Sequence, residues 1–329
     1  MARISRSWKI KKKSPPLALL PLGAMMLVGS FGMTPYVFAQ GASESEKTLR
    51  PVIVKDKTEV DIAEGRNSVR ATQTRIGKSK QELRDIPQSI TVVTEKLMDD
   101  RNLDTMKEAL KHTAGISFLA AEGGEEDIRL RGFSLQATGD VFVDGIRDPA
   151  FYERDTFNLD RLEVLRGSAS MLFGRGSTGG AVNQVSKTPR LLDENQVDVT
   201  VGSHQYRRVV ADMNAKTGDG AALRVTAMQT KAANNGAGSS LDKSGLAGAY
   251  RFGIGERDEF LFGISHLSNR NGMNYGMPWI RPTATSGVMD TTTLPIDPTA
   301  YYGMASDRTT AKRRMLLLVT LIVSDKIVI

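Results

Sequence analysis

The residues with the most chemical promise are the glycines of Gly174-Arg175-Gly176-Ser177-Thr178-Gly179, which satisfy the dinucleotide-binding spacing G-x-G-x-x-G. Such glycines hold a phosphate only when a strand leads in and a helix leads out, because the phosphate rests on the free N–H groups of the helix start. Here the order is reversed: a helix-forming turn over residues 169–173 precedes the glycines, and the β-patterned residues 181–186 follow. A P-loop is excluded too, since Gly180 stands where its lysine would be. The chain has no cysteine and three scattered histidines, so it has no thiolate site, no disulfide framework and no evident transition-metal set. His112 closes a predicted helix with no second ligand candidate nearby. No catalytic constellation is visible, and the chain reads as a non-enzyme without a cofactor.

The elements around those glycines form one unit over residues 159–187. Leu162, Val164 and Arg166 alternate with Glu163 and Leu165 as a strand, and Gly167 breaks it. Ser168 is placed to cap the helical turn and Gly174 to end it. Upstream, Ile90-Thr91-Val92-Val93 is a β-branched strand, and Thr94-Glu95 starts a helix with its acid in the first turn. A second helix is predicted over residues 102–111, with Leu103, Met106 and Leu110 on one face. Residues 127–132 and 140–143 read as further strands, the latter closed by an Asp144-Gly145 turn.

The charge balance is uneven along the chain. Of 44 basic residues, six precede position 14, and the first 39 residues hold no acid; the remainder carries 38 bases against 37 acids. A net charge near +1 gives no reason to expect nucleic acid as a partner. The six bases are followed by an apolar stretch over residues 17–31 and by Val37-Phe38-Ala39, the layout of a secretory signal cleaved after Ala39.

After Pro189 the period becomes two. Val197, Val199 and Val201 share a face, as do Val209, Ala211 and Met213; Leu223, Val225 and Ala227; Leu246, Tyr250 and Phe252; and Phe260, Phe262 and Ile264. Each segment is about 10 residues, the length of a tilted membrane-spanning strand. Tight turns at 217–220 and 255–258 alternate with longer connections at 232–243 and 269–310, the pattern of an outer-membrane barrel. Residues 312–329 depart from it: Met315-Leu316-Leu317-Leu318-Val319 shows no polar phase. Either this is a strand with an apolar inner face or the chain is truncated with a shifted frame near Lys312.

Read together, EVLRG at 163–167, SASMLFGRGSTGG at 168–180, NQVSK at 183–187, DIPQSITVV at 85–93, RGF at 131–133 and VDG at 143–145 resemble the plug domain of TonB-dependent outer-membrane receptors. Ser168 stands where that family usually has proline. DGIRD at 144–148 and RDTFN at 154–158 look most like receptors for iron-catecholate siderophores. The resemblance implies an α+β plug domain followed by antiparallel β-strands of an incomplete outer-membrane β-barrel. Residues 1–39 would be the signal peptide, 40–60 a flexible N-terminus with a TonB box, 61–190 the plug, and 191–329 the first strands of a truncated barrel. Plugged transporters have about 22 strands, so five or six would not transport alone.

The implied function is the N-terminal part of a receptor for ferric siderophore uptake, located in outer-membrane lipid. Its partners would be the periplasmic TonB protein and a ferric siderophore, catecholate in kind, with iron arriving only as the siderophore's own ligand. The alternative is a secreted, stand-alone plug-like module that binds a ligand or partner. Leu49, Val52, Ile53 and Val54 lie in the short extended run that the resemblance makes the TonB box, offered as an added strand; an ordinary first plug strand is the other reading. Arg131 and Arg166 match family arginines that lock the plug to glutamates of the barrel wall, or else bond neighbouring plug carbonyls. Phe118, Arg147, Phe151, Tyr152 and Arg154 are the proposed siderophore contacts, the aromatics by stacking and the arginines by attracting an anion. Glu122, Glu125 and Glu126 match an anion poorly, and packing of the aromatics against outer loops is the other reading.

Overall fold

The computed structural model describes residues 4–8, 66, 68–77, 80–120, 126–148, 151–174, 179–233, 240–273, 279–280, 292–297, 300–304 and 306–322. The cleavage point at Ala39, the run holding Leu49, Val52, Ile53 and Val54, Glu122 and Glu125, and glycine-loop residues 175–178 therefore lie outside the described residues.

The plug is built on a sheet whose central strands are buried on both faces. Its order is β2 (Ser89–Thr94), β6 (Leu159–Arg166), β7 (Gly180–Ser186), β5 (Val141–Val143) and the short strand Ile146–Arg147. Leu162 and Val164 of β6 face a core with Val93, Met98, Met106, Leu110 and Leu135. Leu165 faces the opposite way, with Ile76, Phe142, Phe173 and Ala181; the Phe142 and Phe173 rings stack at 4.0 Å. Alternation along β6 thus does not mark a wet face. Glu163 is fully buried, and its carboxylate accepts from the Arg75 amide (2.8 Å), Arg161 Nε (2.9 Å) and Asn183 Nδ2 (3.1 Å).

Two short helices cover this sheet. In α1 (Glu95–Arg101), Thr94 Oγ1 accepts from the Leu97 amide, and Asn102 closes the helix in the left-handed region. The single helix predicted over 102–111 is shorter. It is α2 (Met106–Leu110), because Thr105 and Glu108 form a capping box that fixes its start. Strands β3 (Ile116–Ala120) and β4 (Glu126–Leu130) pair antiparallel, followed by α3 (Leu135–Thr138). Helix α4 (Ser170–Phe173) has Ala169, not Ser168, at its N-cap: no side chain caps it, and Ser168 Oγ lies 3.0 Å from Ser170 Oγ instead. Gly174 ends α4 at φ +82°, as glycine should.

The wall is a second, antiparallel sheet. Its strands are β1 (Ile4–Trp8), β8 (Glu194–Val201), β9 (Arg207–Gly218), β10 (Ala221–Ala233), β11 (Ser240–Phe252), β12 (Asp258–Gly272) and β13 (Arg308–Ile322), each bonded to the next in that order. Among the described residues the sheet does not close. The basic head of the predicted signal supplies β1, which covers the outer edge of β8 from Ile4↔Val201 to Trp8↔Val197.

Sequence periodicity and side-chain exposure agree along the wall. Val201, Val209, Met213, Leu223, Leu246 (56 % exposed), Tyr250, Phe262 and Ile264 (63 %) point outward. Gln196, Thr200, Arg208, Asp212, Asn214, Arg224, Thr230, Lys243 and Asn269 are buried on the inward phase against the plug. Phe252 stacks on Phe260 (5.0 Å) and Phe262 (6.0 Å) beside the tight turn at 253–257, forming an aromatic belt near one rim. Residues 312–322, which lack a polar phase in sequence, complete β13 in a ladder with β12 from Asp258↔Ile322 to Gly272↔Arg308. Leu316 and Leu318 face out, and Leu317 is turned inward opposite Gly263 of β12. The inward phase there carries Arg313 as well as Met315, Leu317 and Val319.

Candidate functional site

The plug meets the wall through charge. Residues 151–158 form a strap across the wall, and its backbone is tied to the start of α2: Met106 N–H donates to Arg154 O (3.1 Å) and Thr156 N–H to Asp104 O (3.2 Å). Two acids of the strap, and Asp148 of the plug, each meet a wall cation. Asp148 pairs with Arg313 (2.8 Å), Glu153 with Lys243 (2.6 Å), and Asp155 with Arg208, both of whose terminal nitrogens donate, at 2.7 and 2.9 Å. Arg208 also reaches Asp104 at 3.4 Å, and Tyr206 donates its hydroxyl to that carboxylate. Burial would push Asp155 up, but the Arg208 charge and hydrogen bonds, with Lys243 and the Phe157 amide, together hold it below the usual carboxylate range. Phe157 seats the strap sterically. Its ring lies where a side chain at Gly245 would stand, 2.6 Å from the Cβ position, so only glycine fits at 245.

A second, deeper cluster joins the plug to β8–β10. Asp212 accepts from Arg224 (2.6 and 2.9 Å) and from Lys187 (3.1 Å), and Arg66 stands 3.8 Å away. Lys187 also meets Glu95 at 3.0 Å, and Arg66 donates to Gln196 at 2.7 Å. Burial would lower the Lys187 ammonium, but Glu95 and Asp212 outweigh it and hold it above its ordinary value.

Between α2, β3, the strap and the wall lies a cavity of about 650 Å³. It is lined by Lys107 and Glu108 of α2, Lys111 at its C-cap, Phe118 of β3, Tyr206, Arg208 and Lys243 of the wall, and Asp104, Glu153 and Asp155. It sits toward the ends of β9–β11 opposite the tight turns, the side where the long connection from Gly272 to Arg308 leaves the wall. In a barrel of this pattern that is the outer side. The lining holds four bases and four acids; Arg208 and Lys243 are paired with plug acids, and Glu108 is spent on the backbone N–H groups of Asp104 and Thr105, so Lys107 and Lys111 are the cations that face the cavity without a carboxylate partner among the described residues. Lys107 Nζ stands 5.9 Å from the centre of the Phe118 ring.

This arrangement redistributes the residues expected from sequence. Phe118 is half-buried against the plug core and does line the cavity. Phe151 is exposed, in the left-handed region at φ +64°, a conformation costly for a bulky side chain. Tyr152 and Arg154, expected to meet a ligand, are instead buried. Arg154 is 1 % exposed, donates to Asp148 at 2.7 Å and stacks on Tyr152 at 4.4 Å, while Tyr152 donates to the same carboxylate at 2.6 Å. They brace the strap by supplying donors to one oxygen of the buried Asp148 carboxylate, whose burial would be costly without them. Arg147 is also spent inside the plug, on Thr138 O (3.1 Å) and Phe173 O (3.4 Å).

Arg166 donates to Ala114 O (3.0 Å), Ser89 Oγ (3.2 Å) and Thr91 Oγ1 (2.8 Å), so plug-internal bonds account for part of its fork. Neither Arg166 nor Arg131 meets a carboxylate among the described residues. Burial, then the like charge of Arg131, lowers the Arg166 pKa. In a receptor carrying the whole barrel, the double change Arg131→Ala, Arg166→Ala is expected to speed amide exchange across residues 162–186 by about tenfold, about 1.4 kcal/mol of lost protection. Unchanged exchange there rules the lock out.

The acid-on-plug, base-on-wall contacts went unrecognised in sequence reading. Their signal was present: the inward phase of β9–β11 carries Arg208, Asp212, Arg224 and Lys243 where polar uncharged residues would have sufficed.

The family profile described as the TonB-dependent Receptor Plug Domain matches residues 82–181. A probable TonB-dependent receptor, BfrD, of Bordetella pertussis is 32 % identical over 225 residues, 68 % of this chain and 30 % of that protein. The crystal structure of the siderophore receptor PiuA from Acinetobacter baumannii superposes with a TM-score of 0.67 at 27 % identity, covering 76 % of this chain and 36 % of that one. The open form of the ferric-catecholate import receptor Fiu from E. coli gives 0.66 at 26 %, covering 75 % and 38 %. The chain spans about a third of the length of the curated relatives it matches. Residues 82–181 are thus matched by the TonB-dependent receptor plug domain, and the plug sheet set against an antiparallel wall is similar in fold to part of these receptors.

Proposed function

We propose that this chain supplies the plug and adjoining wall of an outer-membrane receptor for ferric siderophores, catecholate complexes among them, with TonB acting on the run around Val52 and Ile53. The observation that carries the reading is the cavity between plug and wall. It lies at the loop end, pairs the Phe118 and Tyr206 rings with the uncommitted ammonium groups of Lys107 and Lys111, and is large enough for a chelate. An aromatic, multiply charged anion finds both stacking faces and cations there. The names of Fiu and of the probable siderophore receptor PiuA point the same way. A secreted stand-alone module would have to expose the outward row from Val209 to Ile264 and the Phe252–Phe260–Phe262 belt to water, a continuous apolar surface that lipid accommodates far better.

The test is binding of ferric tris-catecholate to the purified chain in detergent micelles. Phe118→Ala, and separately the pair Lys107→Ala, Lys111→Ala, are each expected to weaken binding about tenfold, the loss of roughly one stacking contact or two half-screened charges. Affinity unchanged in both variants places the ligand elsewhere.

A further inference from the structure

The strap and the cavity share a cation. Lys243 lines the cavity and also pairs with Glu153 at 2.6 Å, yet its side chain is 3 % exposed while that of Glu153 is 28 % exposed. The carboxylate is the more accessible partner, and the ammonium is screened behind it. Asp155 is held differently: its side chain is 1 % exposed, and two guanidinium nitrogens and the Phe157 amide bind it. Glu153 otherwise accepts from Asn271 Nδ2 at 3.0 Å, and its backbone carbonyl from Asn269 Nδ2 at 2.7 Å. Of the two cavity-lining clamps, Lys243–Glu153 is the one with an accessible partner: an incoming group meets the Glu153 carboxylate and has to displace it to reach the ammonium.

We propose that an anionic ligand in the cavity competes with Glu153 for Lys243, so that ligand binding and the hold of the wall on strap residues 151–158 draw on the same ammonium group. This rests on the cavity being the ligand site. A lysine ammonium is a compact charge with three rotatable donors, able to swivel between partners, which a forked guanidinium engaged at both tips is not. A trivalent anion outbids a single carboxylate at equal distance, since the attraction scales with charge. Lys107 and Lys111 bring the anion to the cavity without holding the strap. When Lys243 turns to the ligand, Glu153 keeps only its amide contacts, and the strap loosens there while Asp155 still anchors it.

Competition has a signature that charge repulsion by Glu153 alone would not give: the change in trianion affinity is accompanied by faster exchange of the strap. The probes are two iron(III) complexes, the tris-catecholate trianion and the neutral tris-acetohydroxamate, with the purified full chain in detergent micelles. Glu153→Gln is expected to tighten the trianion about five- to tenfold, and Lys243→Gln to weaken it about tenfold, with neither affecting the neutral complex. In the wild type the trianion should speed amide exchange over residues 151–158 about fivefold; in Glu153→Gln that exchange should be fast without ligand. Weaker or unchanged trianion binding in Glu153→Gln overturns the competition while leaving the cavity as the ligand site. Absence of trianion binding to the wild type overturns both readings.

Discussion

Asp212→Ala is expected to destabilise the folded chain by about 3–5 kcal/mol, the cost of leaving buried charges without their counter-ion. Asp212 is the acceptor at which Arg224, Lys187 and Arg66 converge, at 2.6, 3.1 and 3.8 Å. Removing it leaves Glu95, 3.0 Å from Lys187 and 3.9 Å from Arg224, and Glu194, 3.4 Å from Arg66, to face three cations. Asp212→Asn keeps the shape and two acceptor lone pairs but not the charge, and should recover only part of the loss. The exposed pair Lys96–Asp100, 2.6 Å long but half in water, is the control: Asp100→Ala should cost about 0–1 kcal/mol. Urea unfolding of the three variants in detergent micelles measures the difference. A loss at Asp212 no larger than at Asp100 would mean that the deep cluster does not seat the plug.

The second large effect concerns uptake. In a receptor carrying the whole barrel, Val52→Pro or Ile53→Pro is expected to reduce iron uptake to the level of a strain without TonB while ferric siderophore binding stays unchanged. Proline removes a backbone donor, and an added strand is held by those donors more than by its side chains. Uptake of labelled iron and equilibrium binding, measured on the same cells, decide it. Parallel loss of both would make the run a structural strand of the plug.

The order of elements, the plug domain and the membrane-facing phase of the wall were legible in the sequence, because each is written in local spacing. Thr94 followed by Glu95, the glycine at 174 and the two-residue period after Pro189 are read within a few positions and depend on little beyond them. Local spacing also rejected the nucleotide reading of the glycines, since element order alone decides it. Spacing was misleading where two local signals overlapped: Asn102 ends one helix and Thr105 caps the next, so an apolar face continuous from Leu103 to Leu110 did not mean a continuous helix.

What only the tertiary structure decided is which charges meet. Tyr152 and Arg154 looked free in sequence and are buried on Asp148, whereas Lys107 and Lys111, unremarkable in sequence, line the cavity. Glu153 is linked to Lys243 across 90 positions and Asp155 to Arg208 across 53, separations that no periodicity spans. The physical reason is that a period fixes the face a side chain takes on its own strand. Whether that face meets a carboxylate, a guanidinium or open space depends on how the plug is seated against the wall, and that is set by long-range packing such as Phe157 on Gly245.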